Sequence, residues 1–214
     1  MDRRRFLKLC VLSYFLTVED IVHASGKKPL KVRLKNKKGE PFKLKDIVKY
    51  KPYIYFYPYV ATPCILIDTG EECINGIGEN KSIVSFSLIC THQFSFPKPL
   101  ETFIAYYKPM EESLTGRGNV IQCCVHMSVF DAVKGGAVID GPAERALLQI
   151  RLEVDERGGL WAVGVDDDGL FKEFFEFNRS DLKELYGSVE KAQKFVKESV
   201  VIELSEYTRD IIKC

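Results

Sequence analysis

Two short stretches decide the reading of this chain: Cys90–Thr91–His92, and Cys123–Cys124–Val125–His126–Met127–Ser128–Val129–Phe130–Asp131. The chain has three histidines, His23, His92 and His126. Setting His23 aside as part of a removable leader, each remaining histidine lies within three residues of a cysteine. A pair of Cys-x-His and Cys-x-x-His loops brings together two thiolates and two imidazoles if the loops face one another. Thiolates bind iron strongly, and neutral imidazoles on a second iron reduce the negative charge of a cluster and raise its potential. In such a split, each loop contributes one ligand to each iron. The same four donors suit a single zinc ion by ligand type, and donor counting alone leaves the two metals even.

The residues after His126 carry the distinction. Ser128, Phe130 and Asp131 follow it, then Gly135, Gly141–Pro142–Ala143 and Leu147. In order and spacing this resembles the second box and proline loop of the Rieske [2Fe–2S] family, with Cys90–Thr91–His92 as the first box. The resemblance implies that Cys90 and Cys123 bind one iron and that His92 and His126 bind the other. It implies that Gly141 and Pro142 cover the cluster and that Ser128 donates to a bridging sulfide. Phe130 stands where high-potential members have a hydrogen-bonding Tyr. The family's disulfide between its two loops would fall on Ser95 and Val125, so that bridge is absent. Cys124 is an extra neighbour and is assigned neither to a disulfide nor to the cluster. With Ser128 but no Tyr, a mid-range potential is expected, within about −150 to +300 mV.

Around these motifs the pattern is mostly strand. Ile150, Leu152 and Val154 alternate with Arg151, Glu153 and Asp155, and a Gly158–Gly159 turn leads to Leu160–Val163, predicting a hairpin. Tyr53–Tyr59, Cys64–Ile67, Ile83–Cys90 and Val120–Cys123 are short apolar runs. Val32 and Leu34 alternate with basic residues, which predicts a strand with a solvated cationic face. Trp161 is expected in the core. The expected class is mainly β: a Rieske-like antiparallel β-sandwich over residues 25–170, with a cluster-binding subdomain over about 88–146. Pro97, Pro99, Pro109, Gly116 and Gly118 mark 97–119 as an inserted loop, with a short ordered piece near Phe103–Tyr107. Ser180 and Ser188 read as helix N-caps, so a C-terminal extension over 171–214 should carry helices near 181–186 and 189–198. Val200–Ile202 is a candidate final strand.

Composition excludes several functions. With 31 basic and 30 acidic residues, no cationic field supports nucleic-acid binding. Asp68–Thr69–Gly70 occurs once, whereas aspartic-protease chemistry needs two carboxylates sharing a proton. Asp166–Asp167–Asp168–Gly169 lacks the ligand alternation of a calcium loop and reads as a turn. Seven cysteines cannot all pair, so some are free or metal-bound.

The N-terminus reads as an address. Arg3, Arg4, Phe6, Leu7 and Lys8 fit the twin-arginine export pattern, and Leu9–Val18 is about half the length of a membrane span. Residues 1–24 are expected to be a signal peptide, which places the protein in the periplasm without a permanent membrane span. Tyr59–Val60–Ala61–Thr62–Pro63–Cys64, with Gly76–Ile77–Gly78 and Ile83–Ser87, is similar to the small subunit of arsenite oxidase. That resemblance implies an electron-transfer subunit, not catalytic by itself. It would relay single electrons between a larger molybdopterin subunit and a c-type cytochrome or similar carrier. Two alternatives stand beside it: a stand-alone periplasmic Rieske carrier, and a subunit working with a different oxyanion oxidoreductase.

Overall fold

The apolar runs at Tyr53–Phe56 and Cys64–Ile67 have no polar alternation, the signature of strands covered on both faces. They form β2 (Tyr53–Phe56) and β3 (Pro63–Asp68), which pair antiparallel with each other. β4 (Ile83–Ser87) pairs with β3 in the same sense. In this computed structural model, which describes residues 30–111 and 113–214, their sheet is the middle of three layers. Ile54, Ile65 and Ile67 pack one way, with Val84, Phe86, Ile104, Ile121 and Phe130. Tyr53, Tyr55, Cys64 and Leu66 pack the other way, with Val32, Leu34, Ile150 and Leu160.

The outer layer on that second side contains β1 (Val32–Lys35), β10 (Ile150–Val154) and β11 (Leu160–Val165). β10 and β11 form the expected hairpin, with one register shift between Arg151 and Leu152. Asp155 closes its turn, its Oδ1 accepting from the N–H groups of Arg157 and Gly159. Trp161 departs from expectation. It is half-exposed under the Arg33 guanidinium, 4.6 Å from the ring centroid, and its indole N–H donates to Asp155. Period 2 places Trp161 opposite in facing to Leu160 and Ala162, which take the core side.

The third layer carries the site. It is a four-stranded antiparallel sheet of β6 (Ile104–Tyr107), β7 (Val120–Cys123), β8 (Ser128–Asp131) and β9 (Ala137–Asp140). β6 falls on the short ordered piece expected near Phe103–Tyr107 within the 97–119 stretch, and the structure makes it a full partner of the sheet rather than part of a loop. Ile104–Tyr107 is fully buried and pairs with β7 in register, Ile104 opposite Cys123. The stretch also holds β5 (Glu101–Thr102). Proline and glycine on either side disguise a strand that tertiary pairing makes regular.

The tail is helical and is also woven into all three layers. α1 (Leu170–Phe177) was not expected; it buries Leu170, Phe171, Phe174 and Phe175 at helical spacing. The aspartate run before it is indeed a turn: Asp167 Oδ1 accepts from the N–H groups of Gly169 and Phe171. α2 (Arg179–Tyr186) begins at Asn178 rather than Ser180. α3 (Val189–Ala192) is capped by Ser188, which accepts from Lys191 N–H, but it ends well short of residue 198. Next, β12 (Glu198–Val200) joins β1 in parallel, and β13 (Ile202–Glu203) joins β2. α4 (Leu204–Tyr207) leads to β14 (Asp210–Ile211), parallel to β5. No helix among the described residues is long and apolar enough to cross a membrane. The expected signal peptide, 1–24, lies outside the described residues.

Candidate metal centre

Both sequence motifs become tight loops on one side of the third layer. The first follows β4. Cys90 N–H donates to Ser95 O and Phe94 N–H to Cys90 O, closing residues 90–95 on themselves, with Phe94 in the left-handed region at φ 56°. The second is the β7–β8 hairpin. Cys123 and Ser128 are its last cross-strand pair, so Cys124–Met127 is the whole connection, with Met127 at φ 62°.

The two loops face each other. Cys90 and Cys123 are buried and their side chains hydrogen-bond to one another. The thiol of Cys90 is pushed up, first by that bond and then by burial. Cys123 is pulled down to about 7 because it accepts the bond from Cys90, against the opposing effect of burial. Backbone N–H groups of His92 and Gln93 favour the thiolate of Cys90. Those of Val125 and His126, with the Ser95 hydroxyl, do the same for Cys123. Each sulfur thus sits where its own loop turns two amides toward it, an arrangement that stabilises negative charge.

The histidine rings lie edge to face, 4.8 Å between centroids. His92 is half-buried and His126 exposed. The Nδ1 atom of His92 is buried without a hydrogen-bond partner. An orphaned buried imidazole nitrogen is costly, and a metal bond at that atom would remove the cost. Among the described residues, no three His, Cys, Asp or Glu side chains are placed to hold one metal ion together. Two thiols and two imidazoles supply the donors of a two-iron cluster with two sulfur and two nitrogen ligands.

The loop over residues 141–147 closes the site from a third side. Gly141 has φ +83°, and a Cβ there would stand 2.2 Å from Met127 O and 2.6 Å from Ser128 Cα. Only glycine permits this approach. Ser128, fully buried, accepts from Ala143 N–H at 3.2 Å, which leaves its own hydroxyl proton to donate. Thr91 Oγ1 donates to Arg145 O at 2.5 Å, tying the first loop to the same segment. Pro142 is exposed beside it. Phe130 is a core residue, packed among Ile121, Phe86 and Leu147. Asp131 is buried; its Oδ1 accepts from the N–H groups of Val133 and Lys134, and Arg117 pairs with its Oδ2 at 2.8 Å.

Comparison with known proteins agrees with this geometry. The iodate reductase subunit IdrB of Denitromonas iodatirespirans is 35% identical over 124 residues, 58% of this chain and 60% of that protein. The cytochrome bc1 complex Rieske iron–sulfur subunit of Corynebacterium glutamicum is 31% identical over 166 residues, 74% of this chain and 37% of that subunit. The chain belongs to the Rieske iron–sulfur protein family. Proteins of this family carry a single [2Fe–2S] cluster. The chain spans about 60% or less of the length of these curated relatives. Among solved structures, the soluble domain of Rieske protein II (soxF) from Sulfolobus acidocaldarius is 24% identical, with a TM-score of 0.43 over 59% of this chain and 82% of that one. No family model matches the chain.

Sequence reasoning missed two features of this Rieske site. The Ser95 hydroxyl favours the thiolate of Cys123, a second hydroxyl at the site besides that of Ser128. Cys124 is not idle: it is disulfide-bonded to Cys214, 90 residues away. Parity held a clue. Setting aside Cys10, Cys90 and Cys123 leaves four cysteines, of which Cys64 and Cys73 are buried and free.

Proposed function

We propose that this protein is the electron-transfer subunit of an oxyanion oxidoreductase of the arsenite oxidase and iodate reductase type. In this reading Cys90 and Cys123 hold one iron of the cluster, and His92 and His126 hold the other. The observation that carries it is the meeting of two buried, free cysteines with two neighbouring histidines, one bearing an orphaned Nδ1. When bound, the cluster supplies outer-sphere transfer of one electron at a time. The residues around it do the rest. The turned amides of both loops and the Ser95 and Ser128 hydroxyls stabilise negative charge on sulfur, which sets the potential. Gly141–Pro142–Ala143 and the core beneath Phe130 exclude water from the cysteine side. His126, exposed between the half-exposed side chains of Val125 and Met127, is where a partner would meet the site.

The partners in this reading are a larger molybdopterin subunit and a c-type cytochrome or similar carrier. Export by the twin-arginine route, from the pattern at Arg3–Lys8, would deliver the protein to the periplasm with its cluster already inserted. Purification from native membranes or periplasm tests the whole reading. A visible chromophore, an EPR signal on reduction and a co-purifying molybdopterin protein are expected. A colourless, EPR-silent chain with stoichiometric zinc would sink the cluster assignment. A coloured chain purifying alone would favour a stand-alone carrier.

A further inference from the structure

The two ligand loops meet at the Cys90 and Cys123 sulfurs and at the His92 and His126 rings. Between them lies a cavity of about 230 Å³, lined by Ser95, Phe96 and Lys98 from the first loop and its exit, and by Val125 from the second. Residues 208–214 run from Lys98, at the exit of the first loop, to Cys124 in the second. Thr208 Oγ1 donates to Lys98 O at 2.6 Å. Arg209 and Asp210 N–H donate to Pro99 O and Leu100 O, and Ile212 N–H to Thr102 O. One end of this segment is thus laid along 98–102, the continuation of the first loop.

The other end is fastened to the second loop. Cys214 is bonded to Cys124, the residue after Cys123, with 5.8 Å between their Cα atoms. Its N–H donates to Tyr107 Oη at 2.8 Å. Gln122, the residue before Cys123, is fully buried and donates its side-chain amide to Cys214 O at 3.0 Å, while its Oε1 accepts from Leu114 N–H. The same amide reaches Tyr107 Oη at 3.4 Å, so Cys214 O is the nearer of its two oxygen acceptors and the strap completes the bonding of a buried polar side chain.

We propose that residues 208–214 are a covalently closed brace that fixes the separation of the two ligand loops, with Cys214 and Gln122 as positioning residues. The inference rests on Cys90, His92, Cys123 and His126 being the cluster ligands. The brace holds the backbone next to Cys123, whose sulfur is faced by the amides of Val125 and His126 in the same loop, so it acts on potential as well as on stability.

The test compares wild-type full-length protein with Cys214→Ser. Amide exchange at Cys124–Met127 and at Asp210 and Ile212 should quicken at least tenfold in the variant. The reduced-to-oxidised ratio at fixed potential should shift at least threefold, about 28 mV at 59 mV per tenfold for one electron. Should Cys214→Ser fail to fold, native wild-type protein treated with a dithiol serves instead. The dithiol closes to a cyclic disulfide, Cys124 and Cys214 become thiols, and exchange is read in the same amides. Unchanged exchange and an unchanged potential with the disulfide open would overturn the brace. If wild type proves to hold no cluster, the functional reading fails while the exchange measurement still decides whether residues 208–214 brace the loops.

Discussion

The two ligand loops have matching chemistry and are held in opposite ways. The first is fastened by burial. Phe96 packs edge-on against Phe174 at 5.1 Å, Phe94 lies 5.5 Å from Phe177, and Asn178 donates its side-chain amide to Phe94 O. The second projects outward. Val125 is 43% and Met127 45% exposed, and His126 is exposed between them. Its anchor is a disulfide. A loop that must present a histidine to a partner cannot be held by covering it, because the covering would occupy the contact surface. A covalent tie behind the loop fixes the backbone and leaves the outer face open. The first loop, with His92 half-buried, can rely on helices packed against its flank.

The largest expected effect tests whether the loops are equal in chemistry despite that difference. Cys90→Ser and Cys123→Ser should each abolish the visible chromophore and leave the purified chain essentially without iron by metal analysis. Retention of a full chromophore in either variant would show that the thiolate at that position is not required to hold the cluster. A smaller effect separates the loops. Phe174→Ala empties the contact beneath Phe96 and should cost about 3–5 kcal/mol in urea unfolding, as large aromatic truncations in cores do. Exchange at Phe94 and Ser95 should quicken while exchange at Cys124–Met127 stays near wild type. Equal acceleration in both loops would mean that they are mechanically one unit.

The two motifs of the candidate site were legible in the sequence because their information is local. A thiolate and an imidazole two or three residues apart, followed by Ser128 and Gly141–Pro142, are read without knowing where the chain goes next. The strands were legible where burial is simple: alternation in Ile150–Val154, and two-faced apolar runs in Tyr53–Phe56 and Cys64–Ile67. What stayed hidden is non-local. The ordered piece near Phe103–Tyr107 was expected, but that it is a strand paired in register with β7 follows from the neighbour and not from its proline- and glycine-rich flanks. The pairing of Cys124 with Cys214 spans 90 residues, and the parallel contacts of Glu198–Val200 and Asp210–Ile211 join the tail to β1 and β5. Helix α1 was hidden for another reason. Leu170, Phe171, Phe174 and Phe175 have helical spacing, but the aspartate run before them draws the eye to a turn.

The smallest effect concerns Arg145, which links the proline loop to α1. Its guanidinium meets Glu173 at 2.6 Å and Asp168 at 3.5 Å, with side chains 33%, 48% and 50% exposed. Glu173 and Asp168 hold the Arg145 guanidinium above its ordinary range, Glu173 contributing most. Water screens such a pair, so Arg145→Gln should cost under about 1 kcal/mol, and the loss should shrink as salt is raised toward 1 M. The bond that matters more at this position survives the substitution, because Thr91 donates to the backbone carbonyl of residue 145 and not to its side chain. Thr91→Val, which removes that donor and leaves the charges in place, should therefore loosen the first loop more than Arg145→Gln does. A larger loss from Arg145→Gln, measured by urea unfolding at low salt, would mean that the ion pair to Glu173 and Asp168 holds the proline loop more firmly than the Thr91 hydroxyl's bond to the first ligand loop does.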